Sequence, residues 1–326
     1  MTDSVAPTPA VRRAATTLIA AVALTSCGAK TSTDAVPSGG DFPLVVSSCG
    51  RDVRFEHAPK RVITAGTVAA PLIAAAGAGD RVITRTFEVS SFPGEYADDL
   101  AHAEQINPTA DLTREQIIAR NPDLVVGFEG AAVKAEDLAS VGIPLLVTRG
   151  FCRAAEGSYD DIFSDILLYG KLFGTPAEAG KTVDTLRRRV TAVANAHPPV
   201  GKTRPAAAFM LSPDGSTLIG YGNVSTVHIQ MGILGLHNIF GDVATRFFEA
   251  NSEILIARDP AVIIVLTQGN QTPDSVRAAL RNRPELASLT AVRNDRVIVV
   301  PFGYSGPGPV AVQGLEVLSD RLAALP

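Results

Sequence analysis

The chain has 326 residues, 46% of them hydrophobic and 19% charged, with a formal net charge of −4. That apolar share supports a sizeable buried core, and the acidic balance excludes a nucleic-acid partner, which needs a clustered basic face. The densest basic run, Arg187 to Arg189, falls on a helical pattern where it reads as a solvated face.

The N-terminus is built for export. Arg12 and Arg13 form a positive region and Ala14 to Ala23 a short apolar core, the layout of a signal peptide. A spanning helix needs about 20 apolar residues, and Asp34, Ser38, Gly39 and Gly40 prevent this run from being extended. Leu24, Thr25, Ser26 and Cys27 resemble the bacterial lipobox, so residues 1–26 are expected to be removed and Cys27 to carry the lipid. Residues 27–42, small, polar and bearing Gly and Pro, read as a flexible tether. With Cys27 spent, Cys49 and Cys152 remain in a disulfide-permissive compartment. One bridge between them is expected, two free thiols being the alternative.

Cleavage leaves about 300 residues, more than one core usually holds, so two domains are expected. Strands are predicted at Arg61–Ala65, Asp80–Thr86, Asp123–Phe128 and Ile143–Thr148, with helices at Val68–Ala76, Thr113–Arg120 and Ala132–Ser140. A long helical stretch then runs from Ser158 to Gly174 and on from Thr175 to its stop at His197, Pro198 and Pro199. Leu186, Val190 and Val193 lie on it at helical spacing, a stripe able to run along both lobes. Beyond it come strands at Ala206–Leu211, Thr217–Tyr221, Ala261–Leu266 and Asp295–Phe302, and helices at Val227–Leu234, Ser252–Arg258, Asp274–Arg281 and Val310–Ala324.

An internal repeat fixes the architecture. EQIIARNPDLVV, from Glu115, matches EILIARDPAVII, from Glu253. In each, Pro122 or Pro260 stops a helix, because proline lacks the amide donor, and a continuous β-branched run follows, the mark of a parallel strand covered on both faces. The expected fold is α/β: two open doubly wound lobes, 43–172 and 200–326, joined by a single long helix at 173–199, with a ligand cleft between them.

Taken together, VSSCGRDVRFEHAPKRVIT, LTREQIIARNPDLVV, YGKLFGTPAEA, ARDPAVIIVL and LTAVRNDRVIVVPF resemble the class III, helix-linked substrate-binding proteins of ABC importers, which carry ferric siderophores, haem or cobalamin. The resemblance spans essentially the whole mature chain. It implies a monomeric, lipid-anchored protein on the outer face of the cell membrane that serves a permease dimer with ATPase subunits. It also implies that Glu115 and Glu253, one per lobe, meet arginines on that permease. A first-turn glutamate favoured by the helix dipole is the plainer account of either residue.

Open parallel sheets bind ligands beyond the carboxyl ends of their strands. In the first lobe that rule selects Thr67, Arg85, Phe128 and Arg149, beside Gly66. In the second it selects Tyr221, Arg246, Phe247 and Tyr304, beside Asn223, Gln268 and Phe302. Arginines among aromatic rings suit an anionic, partly planar ligand. The five histidines show no ligand spacing, so no metal is expected on the protein's own side chains and no resident cofactor is implied; a metal such as Fe3+ would arrive inside a chelator. No GxSxG elbow, Walker loop or GxGxxG points to an enzyme. Haem, cobalamin and a deazaflavin-cofactor precursor remain alternatives to a siderophore, the lack of tryptophan counting slightly against cobalamin, and a surface scaffold lipoprotein is the alternative of another class.

Overall fold

The computed structural model describes residues 42–326, apart from 91–93, 107–109, 153–154, 156, 199–200, 202 and 213–214. The leader, Cys27 and nearly all of the tether lie outside the described residues.

Alternation of apolar and polar residues makes β1 (Leu44–Ser48) and β2 (Arg51–Phe55) an antiparallel hairpin, closed by Cys49 and Gly50 with φ of 47° and 80°. Two positive φ values are what a tight two-residue turn matched to strand twist requires. Cys49 thus stands at the tip of a hairpin that precedes the first core strand.

The first lobe follows as β3 (Val62–Ala65), α1 (Ala69–Ala75), β4 (Val82–Thr86), β5 (Glu104–Gln105), α2 (Arg114–Ala119), β6 (Leu124–Gly127), α3 (Ala135–Ala139) and β7 (Leu145–Val147). Its sheet is wholly parallel in the order β5-β4-β3-β6-β7. The hairpin docks on the free edge of β7: Ser48 Oγ accepts from Val147 N at 2.8 Å and donates to Val147 O. Covering an edge in this way removes a template for unwanted strand pairing.

Two helices, α4 (Tyr159–Phe173) and α5 (Pro176–Ala196), form the connector. Gly174, at φ 79°, ends α4 in the left-handed conformation, and Pro176 opens α5 at a position where a missing amide costs nothing. A Cβ at Gly170 would overlap Ala179, so glycine there lets the two helices cross closely. The apolar stripe of α5 is Ala179, Val183 and Leu186, extended by Val190 and Val193. Arg189 ties α5 to both lobes through Glu95 on one side and a two-pronged pair with Glu316 on the other, at 2.7–3.0 Å.

The second lobe contains β8 (Arg204–Leu211), β9 (Leu218–Tyr221), α6 (Thr226–Ile233), β10 (Leu236–Asn238), β11 (Phe247–Ala250), α7 (Ser252–Arg258) and β12 (Val262–Thr267). Beyond these lie α8 (Pro273–Asn282), α9 (Pro284–Ala287), α10 (Thr290–Arg293), β13 (Val297–Pro301) and α11 (Val310–Ala323). The sheet order is β11-β9-β8-β12-β13, with β10 beside the start of β8. The sheet is mixed: β9 runs antiparallel to both of its neighbours, β8 and β11. The connection from Leu211 to Leu218 is too short for a crossover helix and allows only a hairpin return.

The repeat ends its two helices alike. Asn121 and Asp259, at φ 47° and 32°, take the left-handed conformation immediately before Pro122 and Pro260, and β6 and β12 are buried along their whole length. One apolar cluster joins the facing sides of both lobes and the connector, while Phe209 and Ile263 belong to an outer core in the second lobe and Leu138 and Ile143 to one in the first.

Candidate ligand cleft

Between the lobes lies a cleft of about 780 Å³, within the range of small-molecule sites. Gly66, with φ of 90°, turns the chain after β3 and places Thr67 in the wall; a Cβ at Gly66 would press on Phe128 at 3.1 Å. Phe128 follows β6 and stacks on Phe87 at 5.2 Å, and Phe151 leans against Phe128 at 6.1 Å. The second lobe supplies Met210, Val224, Arg246, Phe247 and Phe302. Phe247 is 62% exposed, an aromatic ring at the mouth of the cleft.

Among the described lining residues the cations reduce to Arg246. Its guanidinium lies 5.3 Å from the centre of the Phe151 ring, and Nη1 is buried without a hydrogen-bond acceptor. Burial pulls its pKa down, the Tyr221 hydroxyl opposing. Thr67 Oγ1 is likewise buried without a partner. Groups left unsatisfied in a cleft are poised for a ligand's oxygen atoms. Arg246→Met should therefore leave stability unchanged or raise it by up to about 1 kcal/mol, because the lost contact with Phe151 offsets part of the relief. Urea unfolding of the ligand-free protein checks this, and a loss above that size would mark Arg246 as structural.

Four of the eight residues selected from sequence line the cleft: Thr67, Phe128, Arg246 and Phe247. The other four are placed elsewhere. Arg85 donates to Glu88 at 2.8 Å, and Gln105 donates to the same carboxylate oxygen; burial pushes the Glu88 carboxyl up, with Arg85 opposing. Tyr221, 3% exposed, ends β9 inside the core, and Tyr304 packs against the core beside Arg321. Arg149 opens a helical turn, Arg149–Phe151, and faces a second cavity of about 620 Å³ that also touches Cys49, Cys152 and Asp165. Sequence reasoning missed Phe87, Val89, Phe151, Met210 and Val224.

Asp165 holds the Arg149 turn from beneath: Oδ2 accepts from Arg149 N at 2.7 Å, and Oδ1 lies 3.6 Å from Arg149 Nε. Burial dominates and pushes this carboxyl up to about 7 from 3.8. Between those values the folded chain keeps a proton that the unfolded chain gives up, so stability falls as pH rises through that window and is level above it, by on the order of 4 kcal/mol. Asp165→Asn, neutral throughout, is expected to lose that slope. Comparing denaturation midpoints of the two proteins near pH 4 and pH 8 tests it, and parallel curves would refute it.

Cys49 and Cys152 are bridged, with Cα atoms 5.3 Å apart, and close a loop spanning 103 positions. Glu115 and Glu253 each sit exposed in the first turn of a short helix, α2 and α7, behind the N-caps Thr113 and Asn251. Among the described residues no group of three potential metal ligands is found, and no helix is long and apolar enough to cross a membrane.

Two lobes, a stiff helical connector and an apolar cleft between them define a helix-linked binding protein of class III. Residues 63–304 match the periplasmic binding protein family, and the chain belongs to it. Members of this family work with the permease and ATPase components of ABC transporters. A solved structure of an ABC-type Fe3+-hydroxamate transport system from Saccharomonospora viridis is 34% identical, with a TM-score of 0.76, covering 86% of this chain and 99% of that one. A cobalamin-binding protein of Halobacterium salinarum is 24% identical over 82% of this chain and 70% of its own length. A periplasmic haem-binding protein from Roseiflexus shares the fold, with 21% identity, a TM-score of 0.67, and coverage of 81% and 98%.

Proposed function

We propose that this protein captures a ferric siderophore of the hydroxamate kind in the interlobe cleft and delivers it to an ABC permease, held as a monomer at the outer face of the cell membrane by lipid on Cys27. The observation that carries the reading is the chemistry of the cleft wall. Phe87, Phe128, Phe151, Phe247 and Met210 present rings and a thioether, and the described lining contains no His, Tyr or Cys. Haem iron takes an axial donor, most often one of those three residues and in some proteins Met; with Met210 the one such donor among the described lining residues, the wall suits a metal already saturated by its own chelator.

Charge supports the same choice. Three hydroxamates neutralise Fe3+, whereas three catecholates leave a polyanion that one desolvated guanidinium cannot balance. Arg246 Nη1 and Thr67 Oγ1 suit the carbonyl oxygens of a chelate without net negative charge. The 34% identity with the hydroxamate-system protein points the same way. Cobalamin is the second reading, favoured by the Halobacterium relative and by a vitamin B12-binding protein of Vibrio parahaemolyticus, 25% identical over 73% of this chain.

A thermal-shift panel of ferrioxamine B, a ferric triscatecholate, haem and cyanocobalamin tests the choice. Ferrioxamine B at 100 times its dissociation constant should add about 2.7 kcal/mol. A shift with cyanocobalamin alone would favour the second reading, and none with any chelate would favour a scaffold.

A further inference from the structure

The segment that leaves β4 toward the cleft, Phe87 to Ser90, is a strap held from two sides. Phe87 has φ of 53°, left-handed backbone in a bulky aromatic residue, which side-chain sterics disfavour and which persists only where surroundings enforce it. The strap alternates: Phe87 and Val89 line the cleft, while Glu88 and Ser90 are buried behind it. Behind it, the Glu88 side chain is 2% exposed and accepts from Arg85 Nη1 and Gln105 Nε2, both at 2.8 Å. On the far side the strap reaches the other lobe. Val89 O accepts from Gly269 N at 2.7 Å, and Ser90 Oγ accepts from Gly303 N at 2.9 Å.

We propose that Glu88 is a positioning residue: anchored by Arg85 and Gln105, it holds Phe87 in the left-handed conformation, and so sets both the ring stack of the cleft floor and the bridge from Val89 to Gly269. A buried ion pair is poor evidence of net stability, and this one sits immediately after the strained residue, between the first lobe's sheet and the strap's two contacts with the second. Strain held by a buried pair is the arrangement expected where a side chain must be presented at a set place despite its backbone preference. In its effect on cargo the proposal rests on the siderophore reading; in its effect on the bridge it does not.

The test is amide hydrogen exchange at Gly269 and Gly303 in the full folded domain without ligand. Glu88→Ala is expected to speed exchange at Gly269 by about tenfold or more while amides inside β12 are unchanged; should that variant fold poorly, Glu88→Gln removes the charge and keeps the shape. Glycine adopts the left-handed conformation freely, so Phe87→Gly combined with the Glu88 change should restore the slow exchange at Gly269. An unchanged Gly269 rate in the Glu88 variants overturns the proposal. So does a faster rate that Phe87→Gly fails to correct, which would make the pair a local prop of the first lobe. Ferrioxamine B titrated into the same variants reads the cargo side, and wild-type protein that ignores ferrioxamine B sinks the siderophore reading alone.

Discussion

Replacing Cys49 and Cys152 together by serine should destabilise the domain by about 4–5 kcal/mol, since the bridge closes a loop spanning 103 positions and removes that much closure entropy from the unfolded chain. For a chain of this size that lowers the melting temperature by roughly 8 °C. The effect should not stop at stability. The bridge ties the hairpin tip to the residue after Phe151, and Phe151 is a wall of the cleft in contact with Phe128 and Arg246. Faster amide exchange at Phe151, whose N–H bonds Thr148 O, should therefore accompany the fall in melting temperature. Calorimetry of the double variant measures the first effect, and a melting point within a degree or two of wild type would show that the hairpin and β7 hold together without the bridge.

The second large effect concerns transport. If Glu115 and Glu253 meet cations on a two-fold permease, changing both to arginine places like charges against like at two points and should cut uptake on the order of a hundredfold. Ligand affinity should be intact, because neither residue lines the cleft. Both side chains are exposed in first turns, where the helix dipole contributes only tenths of a kcal/mol to about 1 kcal/mol. Uptake assays in cells paired with titration of the purified protein separate the outcomes. Uptake that survives the reversal would leave the dipole as the reason for both glutamates.

The sequence made the lobes legible because their central strands are continuous apolar runs. Val262–Thr267 is buried throughout and rich in β-branched residues, which marks a covered strand rather than a half-exposed one. The duplicated Ile-Ala-Arg and proline then placed a matching strand in the other half. What stayed hidden were segments too short to carry a period, such as Glu104–Gln105 and Leu236–Asn238, and the hairpin Leu44–Phe55, whose alternation was readable but whose Cys-Gly turn drew attention to the thiol instead.

The cleft was half legible for a related reason. Strand ends identify which residues face a ligand only to within one or two positions. At the end of β4 the selection fell on Arg85, whose charge is consumed three residues on by Glu88, while the ring that enters the cleft is Phe87, just past the strand. At the end of β7 it fell on Arg149, engaged by Asp165, while Phe151 at the far end of the same turn forms the wall. Arginine suggests a ligand when its partner is distant in sequence and invisible, and Asp165 is such a partner. Phe128 and Arg246 follow the same strand-end rule, and both line the cleft.

That cargo is held between the lobes is tested most directly by titrating ferrioxamine B calorimetrically into wild type and into Phe128→Ala and Met210→Ala, one change in each wall. One chelate per chain in wild type, with affinity reduced about tenfold or more by either change, is the expected result. Undiminished binding when both walls are cut would place the ligand outside the cleft.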